Sequence, residues 1–205
     1  MTEYRAPILT KMALHWMREQ FPNALLTTEL AIAKYGAASL DVAAITSTDI
    51  YGIEIKGDGD STSRLQRQGW VYSRCASHMW LLPAPSLEKA AIKHRPVDWI
   101  MLNVRDGVIS GNRASSCRLP NAAASLLDIL WKTELLEFAK SKGLDVTPRM
   151  RSDQIAEYVS ERIPLSQIRT ETCRRLLARD WATPPYTKKV YRPGDALPEM
   201  TERNG

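Results

Sequence analysis

Apolar residues recur along the first half of the chain at two different periods. Leu9, Met12, Ala13, Trp16 and Met17 follow Pro7 at helical spacing. Pro7 suits the opening turn of that helix, where its missing N–H would have had no partner. The helix is expected to stop near Phe21-Pro22-Asn23, because proline disfavours helical geometry in the residue before it. Three strand-like runs come next, over residues 24–33, 39–46 and 50–56, separated by Tyr35-Gly36 and by Ser47-Thr48-Asp49. Residues 57–61 read as a loop, with Ser61 or Thr62 placed to cap a helix over residues 63–77 that carries Leu65, Trp70 and Val71. Residues 79–82 form a short apolar strand closed by Pro83 and Pro85. A short helix over 86–95 follows, then a strand over 99–104 that turns at Asp106-Gly107 into Val108-Ile109.

From Asn121 the pattern becomes wholly helical. Leu126, Leu127, Leu130, Trp131, Leu135 and Phe138 are expected on the apolar side of one long helix, with Gly143 at its C-terminal cap. Residues 153–162 and 166–179 predict two shorter helices broken at Pro164. The tail from Trp181 holds four prolines and little periodicity, which predicts an extended, partly mobile end. The expected organisation is a core over residues 1–115, a helical extension packed on it over 116–180, and the tail over 181–205. Strands mixed with helices place the fold in the α/β class, a mixed central sheet flanked by helices with a C-terminal helical extension.

Composition removes some function classes. A chain of 205 residues, 44% hydrophobic and 25% charged, suits one substantial core, and no apolar run reaches the roughly 18 residues a membrane span needs. The N-terminus lacks the charged-then-apolar layout of a signal peptide. Cys75, Cys117 and Cys173 lie far apart and form no CxxC pair, which argues against a structural zinc site or a disulfide framework and favours the cytoplasm. A net charge of +5 and a pI near 9.2 are compatible with a polyanionic partner, though many basic proteins bind none.

The candidate chemistry lies on the third strand. Side chains alternate there, so Gly52, Glu54 and Lys56 share one face, while Tyr51, Ile53 and Ile55 share the other, a core face. Gly52 leaves room for something to approach. A hairpin would bring Asp41 beside Glu54, and Glu29 lies one strand earlier in an apolar context. Three carboxylates and a lysine can thus converge on one patch. Such a patch suits Mg²⁺, which takes carboxylate and substrate phosphate oxygens, with a lysine to neutralise the developing charge. The plainer reading is an ordinary strand pair with charges at a sheet edge.

Asp41, then Glu54-Ile55-Lys56, set in the order helix, three strands, helix, strand, resembles the PD-(D/E)XK nuclease superfamily over roughly residues 8–82. Leu40 stands where that family often has proline. Gln68 and Tyr72, one helical turn apart, look like the Q-x-x-x-Y element of some branches, and residues 126–136 echo the leucine-rich helix of small bacterial and phage members of the MmcB-like branch. The resemblance implies a restriction-endonuclease-like core and a Mg²⁺-dependent deoxyribonuclease (Mn²⁺ substituting) acting in repair, recombination or phage–host conflict. It implies Asp41, Glu54 and the Ile55 carbonyl as metal ligands, Lys56 as the catalytic lysine, Glu29 as an accessory acid and Gln68 as a positioning group. The alternative is a module of the same fold that binds DNA or a protein with little or no cleavage.

Arg64, Arg67, Tyr72 and Arg74 are the candidate DNA contacts, though a solvated helix face reads equally well. Expected partners are DNA, a second copy of the chain, and a protein docking on the helical C-terminal part, where arginines alternate with acids. His15, His78 and His94 are too scattered to be assigned a role. Asp58 and Asp60 lack the glycine and glutamate of a calcium loop and read as loop and helix entry.

Overall fold

The computed structural model describes residues 3–32, 38–112, 118–182 and 189–200. The Tyr35-Gly36 turn, Cys117 and the 115/116 boundary lie outside the described residues, as do tail residues 183–188 and 201–205.

Among the described residues, seven strands form one mixed sheet with helices on both faces. In chain order the elements are α1 (Ala6–Gln20), β1 (Leu25–Ala31), β2 (Ser39–Ile45), β3 (Ile50–Lys56), α2 (Leu65–Tyr72), β4 (His78–Pro83), a 3₁₀ turn (Pro85–Leu87), α3 (Glu88–His94), β5 (Ile100–Arg105) and β6 (Val108–Gly111). Then come α4 (Ala123–Leu127), α5 (Lys132–Ser141), α6 (Ser152–Ser160), α7 (Leu165–Ala178) and β7 (Val190–Tyr191). The sheet order is β6-β5-β4-β3-β2-β1-β7, with β3–β4 and β4–β5 parallel and the other pairs antiparallel. Asp106 and Gly107 both take positive φ, 51° and 75°, as the two-residue turn between β5 and β6 requires.

The apolar pattern divides between the two faces. α1 lays Leu9, Met12, Ala13, Trp16 and Met17 against Leu26, Val42, Ala44, Ile53, Ile55, Trp80 and Leu82. Leu9 and Met17 are fully buried, which stabilises the fold by roughly 1.5–3 kcal/mol apiece. The other face carries Leu25, Ala43, Ile45, Ile50, Met79 and Leu81, and its apolar cluster runs without a break through α2 into α4–α7.

Three expectations fail on long-range contacts. The single helix through Trp131 is two helices. Trp131 is extended (φ −69°, ψ 156°), and its N–H donates to Glu134 Oε2 at 2.7 Å, which starts α5 afresh. Arg179, just past α7, holds the break: it pairs with Glu134, donates to the Ile129 carbonyl at 3.1 Å, and stacks on Trp131 and Trp181 at 4.3 and 4.8 Å. The helix expected over 63–77 is also shorter, and Thr62 bonds His94 Nδ1 at 2.7 Å instead of capping it. Finally, the described part of the tail is tied down. β7 pairs with β1, Arg18 donates to the carbonyls of Tyr191 and Arg192 at 3.2 and 2.9 Å, and His15 Nε2 lies 2.9 Å from the Pro198 oxygen.

Candidate functional site

The sheet opens where β3 ends and β2 begins. The β1–β2 register runs from Leu25↔Ile45 to Thr28↔Val42 and resumes at Leu30↔Leu40, skipping Glu29 and Asp41. Glu29 has φ 52°, a conformation that non-glycine residues seldom take and that re-aims the chain. The faces change there: Leu26 and Val42 pack under α1, whereas Leu30 and Leu40 pack in the opposite core. β2 and β3 are registered only as far as Val42↔Ile53. Beyond that pair, Asp41 Oδ2 accepts the Ile55 N–H at 2.7 Å, a side-chain bond closing the gap between the strands.

Glu54 and Lys56 do share a face, and the face is covered. α2 lies over it, leaving Glu54 1% and Lys56 4% exposed. Lys56 Nζ pairs with Glu54 Oε1 and lies 3.2 Å from Gln68 Oε1, while Gln68 Nε2 donates to Glu54 Oε1 at 2.7 Å. Tyr72 is buried and donates its hydroxyl to the Ser39 carbonyl at 2.8 Å, so it braces the wall rather than standing among the exposed arginines. The expected gap at Gly52 is filled: a Cβ there would collide with Met79 Sδ.

Burial sets the protonation of the cluster. The Asp41 carboxyl is pushed up to about 7, first by burial and then by the neighbouring Glu54 carboxylate, against the pull of the Ile55 N–H and Lys56. Burial also raises Glu54, with Lys56 and Gln68 opposing it. The Tyr72 hydroxyl is raised by burial and by Glu54. Cys75 and Cys173 are buried free thiols, both raised chiefly by desolvation, and are poor nucleophiles.

These groups line a cleft of about 590 Å³ between α1 and α2. Its walls include Thr10 and Lys11 of α1, Glu29, Asp41, Glu54, Lys56, Gln68 and Tyr72, Arg64 at the start of α2, and Lys189 and Tyr191 beside β7. Sequence reasoning missed Lys11, Lys189 and Tyr191, which lie near the two ends of the chain and reach the cleft only through tertiary packing. Asp60 also lines the cleft, its Oδ2 accepting the Gly57 N–H at 2.7 Å, while Asp58 Oδ2 accepts the Tyr4 N–H at 2.5 Å. Both thus serve loop and helix entry.

On the solvent side of α2 stand Arg67 and Trp70, with Arg64 at its N-cap, where it also lines the cleft, and Arg74 just past its C-cap Ser73. At 100° per residue Arg67 and Trp70 stand about 60° apart on the helix. Trp70 is 53% exposed, and the Arg74 guanidinium lies 4.5 Å over its ring. The helix contains no acid. Gly69, on the inner side, lets α2 approach so closely that a Cβ would strike the Pro96 ring.

Fold and site together define a mixed α/β protein with an ion-paired polar cleft beside a basic, aromatic helix face. Residues 2–184 match the family described as Bacteriophage P4 protein cII, and the chain belongs to that family. No curated protein and no solved structure matches it.

This membership overturns the resemblance to the PD-(D/E)XK superfamily, and with it the restriction-endonuclease-like core, the deoxyribonuclease activity, the hydrolase class and the Mg²⁺ or Mn²⁺ cofactor. The site gives the physical reason. Among the described residues, no group of three or more His, Cys, Asp or Glu is placed to hold a metal ion. Asp41 Oδ2 is committed to the Ile55 N–H, and Glu54 Oε1 to Lys56 and Gln68. Ile55, implied as a ligand through its carbonyl, enters the cluster through its N–H. Among the described residues, no helix is long and apolar enough to cross a membrane.

Proposed function

We propose that this phage-family protein binds nucleic acid through the outer face of α2, with Arg64, Arg67 and Arg74 meeting phosphates and Trp70 stacking on a base. The observation that carries the reading is the half-exposed Trp70 with the Arg74 guanidinium over its ring, preceded by the exposed Arg64 and Arg67, with no acid on the helix. An exposed tryptophan leaves apolar ring surface in water that stacking on a base would bury, and aromatic stacking accepts any base. Arginine beside the ring adds charge attraction and a planar surface. The overall charge of +5 favours association with a polyanion in the same direction. A solvated face with scattered arginines would need no large apolar ring among them.

The rest of the molecule fits a support role. Asp41, Glu54, Lys56, Gln68 and Tyr72 hold the end of the sheet on which α2 rests, and α4–α7 brace the fold on the same side and offer a surface for a protein partner or a second copy. The buried free thiols Cys75 and Cys173 suit the reducing cytoplasm in which such a protein would meet DNA. The experiment is a salt titration of binding to fluorescently labelled DNA, duplex and single-stranded. It compares the wild type with Arg64→Ala/Arg67→Ala/Arg74→Ala.

A further inference from the structure

α2 lies flush in the surface of the molecule. Four of its eight residues, Leu65, Gly69, Val71 and Tyr72, are buried. The exposed ones, Gln66, Arg67 and Trp70, fall within about 100° of its circumference, with Trp70 between the other two. The segment joining α3 to β5 closes one side of that strip. Gln66 Nε2 donates to the His94 and Arg95 carbonyls at 3.1 and 3.4 Å, the Pro96 ring fills the space beside Gly69, and Trp99 Nε1 donates to Ser73 Oγ at 3.0 Å. Trp70 is nevertheless 53% exposed, with the Arg74 guanidinium 4.5 Å over its ring.

Duplex and single-stranded DNA offer such a strip different things. In a duplex the base faces are stacked on one another, and the base edges lie in a major groove about 8.5 Å deep, which a protruding helix can enter. A flush helix reaches the phosphates and stops there. Its arginines find partners on either form, but the Trp70 ring finds no base face on an intact duplex. A single strand can turn its bases out, and each has a π-face that an aromatic ring can cover whatever the sequence. Trp70 and Arg67, neighbours on the exposed strip, set a stacking surface beside a phosphate donor. That is the pairing a single strand presents along its length.

We propose that this face selects single-stranded over duplex DNA, with Trp70 as the stacking platform that makes the difference. This selectivity rests on the nucleic-acid reading of the same face and adds to it the form of the substrate.

Fluorescence anisotropy tests it with the full chain and one labelled oligonucleotide of mixed sequence, offered alone and annealed to its complement at equal salt. The wild type is expected to bind the single strand about tenfold more tightly than the duplex. Trp70→Ala should weaken single-strand binding about tenfold and duplex binding by less than about twofold, since the arginines remain. Trp70→Phe keeps a flat ring and should recover most of the lost affinity, whereas Trp70→Leu keeps apolar bulk without a π-face and should not. With the phosphate contacts untouched, the salt slopes of Trp70→Ala and wild type on the single strand should be parallel. Arg64→Ala/Arg67→Ala, which leaves Arg74 over the ring, should weaken both forms and flatten both slopes.

Equal wild-type affinity for the two forms would overturn the selectivity while leaving the basic face standing. So would a Trp70→Ala loss as large on the duplex as on the single strand. A Trp70→Leu variant that binds the single strand as well as Trp70→Phe would overturn the stacking role. Binding that Arg64→Ala/Arg67→Ala leaves at full strength on both forms would overturn the reading of the face itself.

Discussion

Asp41 gives the sharpest test of how the sheet end is built, because one proton reports on it. Its carboxyl is raised from the ordinary aspartate value of 3.8 to about 7 by burial and by Glu54. A folded-state value above the unfolded one means that the native protein holds a proton that the unfolded chain releases. Stability is then greatest below about pH 4 as far as this group is concerned. It falls as pH rises toward about 7 and levels off above that. One proton corresponds to a slope of about 1.4 kcal/mol per pH unit, and to no more than about 4 kcal/mol over the whole interval. Glu54 is raised in the same direction, so the pair titrates as a unit and the observed midpoint belongs to both. Asp41→Asn keeps an oxygen for the Ile55 N–H and removes the titrating proton. Urea unfolding at pH 4.5, 5.5, 6.5 and 7.5 is the assay, and the variant should lose about one proton's worth of the slope seen in the wild type. A variant with the wild-type slope would refute the assignment of that proton to Asp41.

Two further substitutions test the packing on either side. Arg179→Ala removes a buried cation from Glu134, the Ile129 carbonyl and two tryptophan rings, and should cost about 3 kcal/mol or more in urea unfolding; a loss below about 1 kcal/mol would mean that the α4–α5 break is held by something else. Gly52→Ala drives a methyl group into Met79 Sδ inside a full core and should cost about 1–3 kcal/mol, read as a lower thermal midpoint, whereas a neutral effect would mean that the space expected from the sequence exists after all.

The sequence carried the local geometry of the site and little of its setting. Strand alternation correctly put Gly52, Glu54 and Lys56 on one face and Ile53 and Ile55 on the other, because period two is a property of the backbone alone. What covers a face is decided elsewhere. α2 closing over Glu54 depends on Gly69 meeting Pro96, 27 residues away in sequence. The break at Trp131 was hidden because apolar spacing stays nearly helical across it, and the residue that holds it, Arg179, arrives from the end of α7. β7 is two residues long, too short for any periodicity, and exists because β1 offers it an edge. Glu29 gave no hint of its positive φ, since nothing in an apolar run with one acid marks a chain that changes face. The nuclease resemblance failed for the same reason. An acid, a second acid and a lysine at strand spacing are equally the parts of a buried ion pair with a strand-closing aspartate, and spacing does not separate the two.

The central claim is that the outer face of α2 meets phosphates, and the salt dependence of DNA binding measures it most directly. Each duplex phosphate contact contributes about 0.9 to the slope of log affinity against log salt. Replacing Arg64, Arg67 and Arg74 together by alanine should therefore flatten that slope by about 2.7 and weaken binding at low salt, with the thermal midpoint unchanged. A triple variant that binds duplex DNA with the wild-type affinity and slope would contradict the account.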